Sequence, residues 1–190
     1  MRRRGFDAIE KTADVKLHHV AHVWAVALGG VVEDEETPLT RTLLLAEGCE
    51  IERLSLSYEV NSKLLASLFD LVYEFDVPRS AERGTESATG DAALELRYDS
   101  VKKTFVAPSG RFGLDALECD LVFSRIEQLG ITDLAARADA GAWHVRVRGL
   151  VGSSTWNLIP PVLHLIEPSR QDCVRGMELF RMVFAALNKV

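Results

Sequence analysis

The chain has no cysteine pair at redox or metal-binding spacing. Its three cysteines, Cys49, Cys119 and Cys173, are an odd number, far apart, and none belongs to a CxxC. That points to a reducing compartment, cytoplasmic or nuclear, with each thiol a small buried hydrophobe rather than a nucleophile or zinc ligand. A membrane-spanning run is lacking too: the longest apolar stretch, residues 20–32, contains His22 and a Gly29-Gly30 break and is too short to cross a bilayer. The basic start, Met1-Arg2-Arg3-Arg4, is followed by Asp7 and Glu10 instead of an apolar core, so it makes a poor signal or transit peptide. Positive charge is scarce: 22 Lys and Arg against 28 Asp and Glu give a net charge of -6. Broad, sequence-independent nucleic-acid binding relies on many cation–phosphate contacts, so direct binding of nucleic acid is not expected. Catalytic signatures are missing as well. There is no recognisable Ser/His/Asp or Cys/His set and no catalytic carboxylate pair. The glycine-rich run from Gly149 to Thr155 has neither the lysine of a phosphate loop nor the GxSxG of a nucleophile elbow. An autonomous enzyme is therefore the less expected class.

What is present fits an α+β fold, a mostly antiparallel sheet packed by helices and closed by a C-terminal amphipathic helix. A chain of 190 residues can bury one good core. The alternation Val15-Lys16-Leu17-His18 has the period of a half-buried strand and would place Asp14 at its mouth. The apolar run after it is ambiguous. As a helix, Ala13, Leu17, Val20, Trp24 and Leu28 share one stripe, with Glu10, Asp14, His18 and His22 on another. Glu33 to Glu36 reads as a solvated acidic turn and residues 51–60 as a strand. Asn61 or Ser62 is expected to cap a helix carrying Leu65, Leu68, Val72 and Phe75, stopped by Pro78. Residues 79–91 lack large apolar side chains and read as a loop. A hairpin follows, from Ala92 to Val106. Leu114, Leu117 and Leu121 favour a helix before Gly130, although residues 121–126 could be a strand. Trp143 to Arg148 alternates again, and Pro160-Pro161 limits residues 156–166 to an edge or irregular strand. Ser169 then caps a helix bearing Cys173, Met177, Phe180, Phe184 and Leu187.

Three groups of residues are candidates for a site. Asp14 could bind a hard cation or a partner's basic group, or serve only as a turn or cap residue. His18 and His22, spaced i,i+4, could reach one metal ion if the segment is helical. His144, Arg146 and Arg148 share the outward face of one strand and could hold a phosphate or an acidic partner surface, or simply face solvent. The final helix has two apolar flanks, so Met177, Phe180 and Phe184 either sit in the core or offer a surface to another chain.

One stretch resembles a known family. Phe6, Glu10, Lys11, Thr12, Ala13, Asp14, Val15, Leu17 and His18 are similar to the opening of archease, an accessory protein of the GTP-dependent tRNA ligase. That family begins with an aromatic residue, an acidic spacer, His-Thr-Ala-Asp and a strand; Lys11 stands at the histidine. Leu64 to Asp76 resembles the family's double-leucine helix, and Ala140 to Trp143 resembles the turn and tryptophan before its last strand. The family's long amphipathic helix, its Thr-Tyr-His segment and the terminal acid of its metal site have no clear counterpart here. The resemblance implies an archease-like domain over residues 1–150, followed by an extension, 151–190, packed on it. It implies activation of a tRNA ligase partner in RNA ligation, and one divalent metal ion held by Asp14. The other expectations are a non-enzymatic subunit of a larger assembly docking through its C-terminal helix, and a metal-dependent hydrolase using the early histidines.

Overall fold

A computed structural model describes residues 2–33, 37–46, 48–62, 66–78, 95–106, 117, 119–138, 141–157 and 162–188. The first element is one long helix, α1 (Arg2–Leu28). Its buried residues, Ala13, Leu17, Val20, Ala21, Trp24 and Ala25, recur at three- and four-residue steps over more than three turns. That stripe overrides the four-residue alternation at Val15 to His18, so the expected strand there is corrected to helix.

Among the described residues nine strands follow, with a helix before the seventh and another after the last: β1 (Val31–Glu33), β2 (Thr40–Leu44), β3 (Arg53–Ser62), β4 (Ala66–Pro78), β5 (Glu95–Asp99), β6 (Thr104–Val106), α2 (Asp120–Leu129), β7 (Ile131–Ala138), β8 (Ala142–Asn157), β9 (Val162–Leu165) and α3 (Arg170–Leu187). They form one antiparallel sheet in the order β1-β2-β3-β4-β8-β7-β5-β6, and β9 pairs with the end of β8. The fold is α+β, with helices on one face of the sheet. No helix among the described residues is long and apolar enough to cross a membrane.

The helix expected after Asn61 is a second correction. Asn61 and Ser62 belong to β3, and residues 66–78 are strand β4. Phe69, Leu71, Tyr73, Phe75 and Val77 alternate toward the helices, while Leu68 and Val72 point to the other face. Apolar residues on both faces of a central strand imitate a helical stripe. Leu65 lies outside the described residues, as do residues 79–91, Leu114 and the Pro160-Pro161 pair. The expected hairpin appears as β5 and β6, and residues 120–129 are helix rather than strand.

The core joins β3, β4, β7 and β8 to α1, α2 and α3. The division at residue 150 falls inside β8, and Cys173, Met177, Leu179 and Phe180 of α3 lie in that same core. Ser169 caps α3: its hydroxyl accepts from the Asp172 N–H, and the Asp172 carboxylate accepts from the Ser169 N–H at 2.9 Å.

Two register shifts accommodate the sixteen residues of β8, at Phe69/Leu71 on one side and Ile131/Asp133 on the other. Past them β8 exchanges β7 for β9 as its neighbour. Buried hydroxyls satisfy the irregular backbone. Ser153 Oγ donates to the Gly149 carbonyl at 2.7 Å and accepts from the Leu71 N–H at 2.8 Å, and Tyr58 donates to the Gly152 carbonyl at 2.7 Å. Burial pushes the Tyr58 hydroxyl up to about 12, so it stays a donor at any ordinary pH. Burial raises the Cys173 thiol to about 12 as well, which leaves it a packing group.

Candidate functional site

The face of the sheet turned away from the helices is built by simple alternation. Where Leu54, Leu56 and Tyr58 point inward on β3, Ser55, Ser57 and Glu59 point outward. β4 presents Asp70, Val72, Glu74 and Asp76 on this side, β8 presents His144, Arg146 and Arg148, and β7 presents Asp133, Ala135 and Arg137. The register sets Glu74 and Ala135 on either side of Arg146, and Asp76 and Arg137 on either side of His144.

Arg146 is the hub. Its Nη2 donates to Glu59, Nε lies 3.5 Å from Glu74 Oε1, and Nη1 lies 3.7 Å from Asp133 Oδ2. Arg148 donates to the other oxygen of the same Glu59. Partial burial would raise the Glu59 carboxyl, but the two guanidiniums outweigh it and hold the group below its ordinary range. His144 Nδ1 is 2.6 Å from Asp76 Oδ1. Val72, in register with Ser57 and Arg148, is 1% exposed although it sits on this face, outside the main core. Long arginine stems can shield such a residue while their heads stay wet.

A groove of about 1240 Å³ opens beside this network. Its floor includes Ser55, Glu74, Ala135 and Arg146; Asp76, Arg137 and His144 stand toward one end, and Glu50 and Glu52 also line it. The outward placement of His144, Arg146 and Arg148 follows the sequence alternation. Their acidic partners Glu59, Glu74 and Asp133 were the residues that sequence reading missed. The signal was an acid at the outward positions of each neighbouring strand.

Asp14 lies elsewhere, on α1, and is committed to the turn before β2. Oδ1 accepts from the Leu39 N–H at 2.9 Å and Oδ2 from Arg41 Nη2 at 2.7 Å. Leu39 holds φ 59°, a strained value for a side-chain-bearing residue, and Asp14 fixes it there. Burial would raise the Asp14 carboxyl, but the Leu39 N–H and Arg41 hold it below 3.8. This donor set does not fit a divalent ion: both oxygens are occupied and a guanidinium stands within hydrogen-bonding distance. His18 and His22 do share one exposed flank of α1, but no group of three or more His, Cys, Asp or Glu among the described residues could hold a metal.

Asp14→Asn is expected to lower Tm at pH 7 by about 2–4 °C, equivalent to roughly one lost hydrogen bond. A depressed carboxylate stabilises above its unfolded pKa and loses that contribution as pH falls through the folded one. The gap between wild type and variant should therefore be widest above pH 5 and close as pH falls below 3.8. Thermal melts across that range check it; a gap that does not change with pH removes Asp14 as an ion-paired strut.

Of the two places open to the final helix, the structure shows the core. Met177 and Phe180, candidates for a docking face, are 4% and 1% exposed. Phe180 stacks on Trp24 at 6.0 Å and packs against Tyr73 and Phe75. Both residues serve the chain's own core, and Phe184 is half-buried beside it. The amphipathic stripe was legible in the sequence; the surface it covers was not.

Fold and surface together define an α+β protein with helices on one side of a nine-stranded antiparallel sheet and a charge-laced groove on the other. The chain belongs to the family described as protein of unknown function DUF3156, whose family model matches residues 28–187, from the last residue of α1 to the last of α3. No curated protein and no solved structure matches it. The segments that carry the archease resemblance take other secondary structure than that family implies. Lys11 to His18 are the middle of a helix, and residues 66–76 are a strand.

Proposed function

We propose that this protein is a non-catalytic binding module, an accessory subunit that engages a partner protein through the open face of its sheet. The observation that carries this reading is the groove of about 1240 Å³, with Arg146 fixed among carboxylates from β3, β4 and β7. A floor whose charges are already held in place loses little side-chain freedom on binding, which favours recognition. An accessory role toward an RNA ligase, as the archease resemblance implies, is one form of this reading. Three thiols without disulfides suit a cytoplasmic or nuclear workplace.

Ala135, between Asp133 and Arg137 on the groove floor, gives the test. Ala135→Trp should fold, since aromatic residues suit strands, while filling the groove. Val26→Trp, on the exposed flank of α1, serves as control. Each protein is used to capture partners from its host's extract, and the partners are identified by mass. The reading expects a partner held by wild type and Val26→Trp and lost by Ala135→Trp; an RNA ligase in that position would specify the archease-like role. Identical captures by all three proteins, or no stoichiometric partner for any, overturn it.

A further inference from the structure

We propose that the groove takes an extended, lysine- or arginine-bearing segment of a partner protein, an inference that rests on the binding-module reading above. Charge complementarity favours a cationic occupant, because the groove's own cations are already engaged. Five carboxylates line the groove, Glu50, Glu52, Glu74, Asp76 and Asp133, against three arginines, Arg53, Arg137 and Arg146. Arg146 is shared by Glu59, Glu74 and Asp133, and Arg53 is held by Glu33 at 2.7 Å. An anionic ligand would have to break these pairs and then face the released carboxylates. A nucleic acid fails on the same ground.

A cation meets the opposite situation. Among the described residues no partner holds the Glu50 or Glu52 carboxylate, and both residues are exposed. They flank Ile51, which is 1% exposed, so both carboxylates point away from the core on the groove side. An extended segment with basic residues at alternate positions offers cations with that same two-residue period, about 7 Å apart. Backbone and small side chains of such a segment would lie over Ser55 and Ala135, small residues of the groove lining.

The test uses the full-length protein and two labelled ten-residue peptides, one alternating lysine with threonine, the other glutamate with threonine, read by fluorescence anisotropy. The lysine peptide should bind and the glutamate peptide should not. Replacing two exposed ion pairs at once, in the double variant Glu50→Gln, Glu52→Gln, should weaken binding by about tenfold. Both positions are exposed, so an unchanged melting curve is expected and verifies the fold. Equal binding of the two peptides, no loss in the double variant, or full binding by Ala135→Trp overturns the proposal. If Ala135→Trp loses its protein partner while the lysine peptide never binds, the groove reading stands and only the cationic occupant falls.

Discussion

Trp24→Ala is expected to cost the fold about 3–5 kcal/mol and to lower Tm on the order of 10 °C. Trp24 is 1% exposed and stands where α1, α3 and the sheet meet. Its ring stacks on Phe180 at 6.0 Å with an interplanar angle of 13° and leans on Tyr73 at 5.0 Å. The reason it fits against α3 is Gly176. A Cβ at that position would come within 2.5 Å of Trp24 Cη2, so the helix gives up a better helix-former to admit the ring. Truncation to alanine leaves a void between elements that are held apart by their other contacts, and the cavity adds to the lost burial. Urea unfolding followed by circular dichroism measures the effect. A loss below about 1.5 kcal/mol would mean that α1 and α3 collapse onto each other without the ring. Gly176→Ala should destabilise as well, against its favourable helix propensity, and the two substitutions together should cost less than their sum.

Gly152→Ala should cost about 2–4 kcal/mol, the sum of a left-handed backbone penalty and overpacking. Gly152 has φ 88°, and a Cβ there would lie 2.4 Å from Leu71 Cδ2 and 3.3 Å from Val20 Cγ1. Its carbonyl also accepts from Tyr58 within the core. Gly48 separates the two contributions. Its φ is 85°, nearly the same, but nothing lies within 4 Å of its would-be Cβ. Gly48→Ala should therefore show the backbone penalty alone, about 1–2 kcal/mol. Equal losses at the two positions would remove steric crowding at the β8 irregularity as a stabilising constraint.

The sequence carried the fold class, the outward run His144, Arg146 and Arg148, and the capped final helix, because each depends on a periodicity contained within one segment. It misled where two periodicities overlap. Residues 15–18 alternate by accident within the longer helical stripe of Ala13, Leu17, Val20 and Trp24. Leu68 and Val72 gave β4 a helical appearance because a strand in the middle of a sheet can be apolar on both faces. The site was less legible still. Arg146 and Glu59 are 87 positions apart, and their meeting depends on β4 lying between β3 and β8, which no local pattern encodes. Asp14 could be recognised as an ordered acid, but its partners Leu39 and Arg41 follow only from where the β2 turn lands on α1.

The central pairing of β4 with β8 has a consequence for how the chain can be made. Phe69 of β4 is matched with Ser154 of β8, and residues 79–141 must be synthesised in between. When β4 leaves the ribosome one of its edges lacks β8, and its apolar inward face lacks α3. The first four strands therefore wait, with one edge open, for the last fifty residues of the chain. A fold whose central contact spans so much sequence pays loop closure before it gains burial, which slows folding. Sheet formation should be a late, whole-chain event, and the nascent protein is at its most aggregation-prone just before β8 emerges.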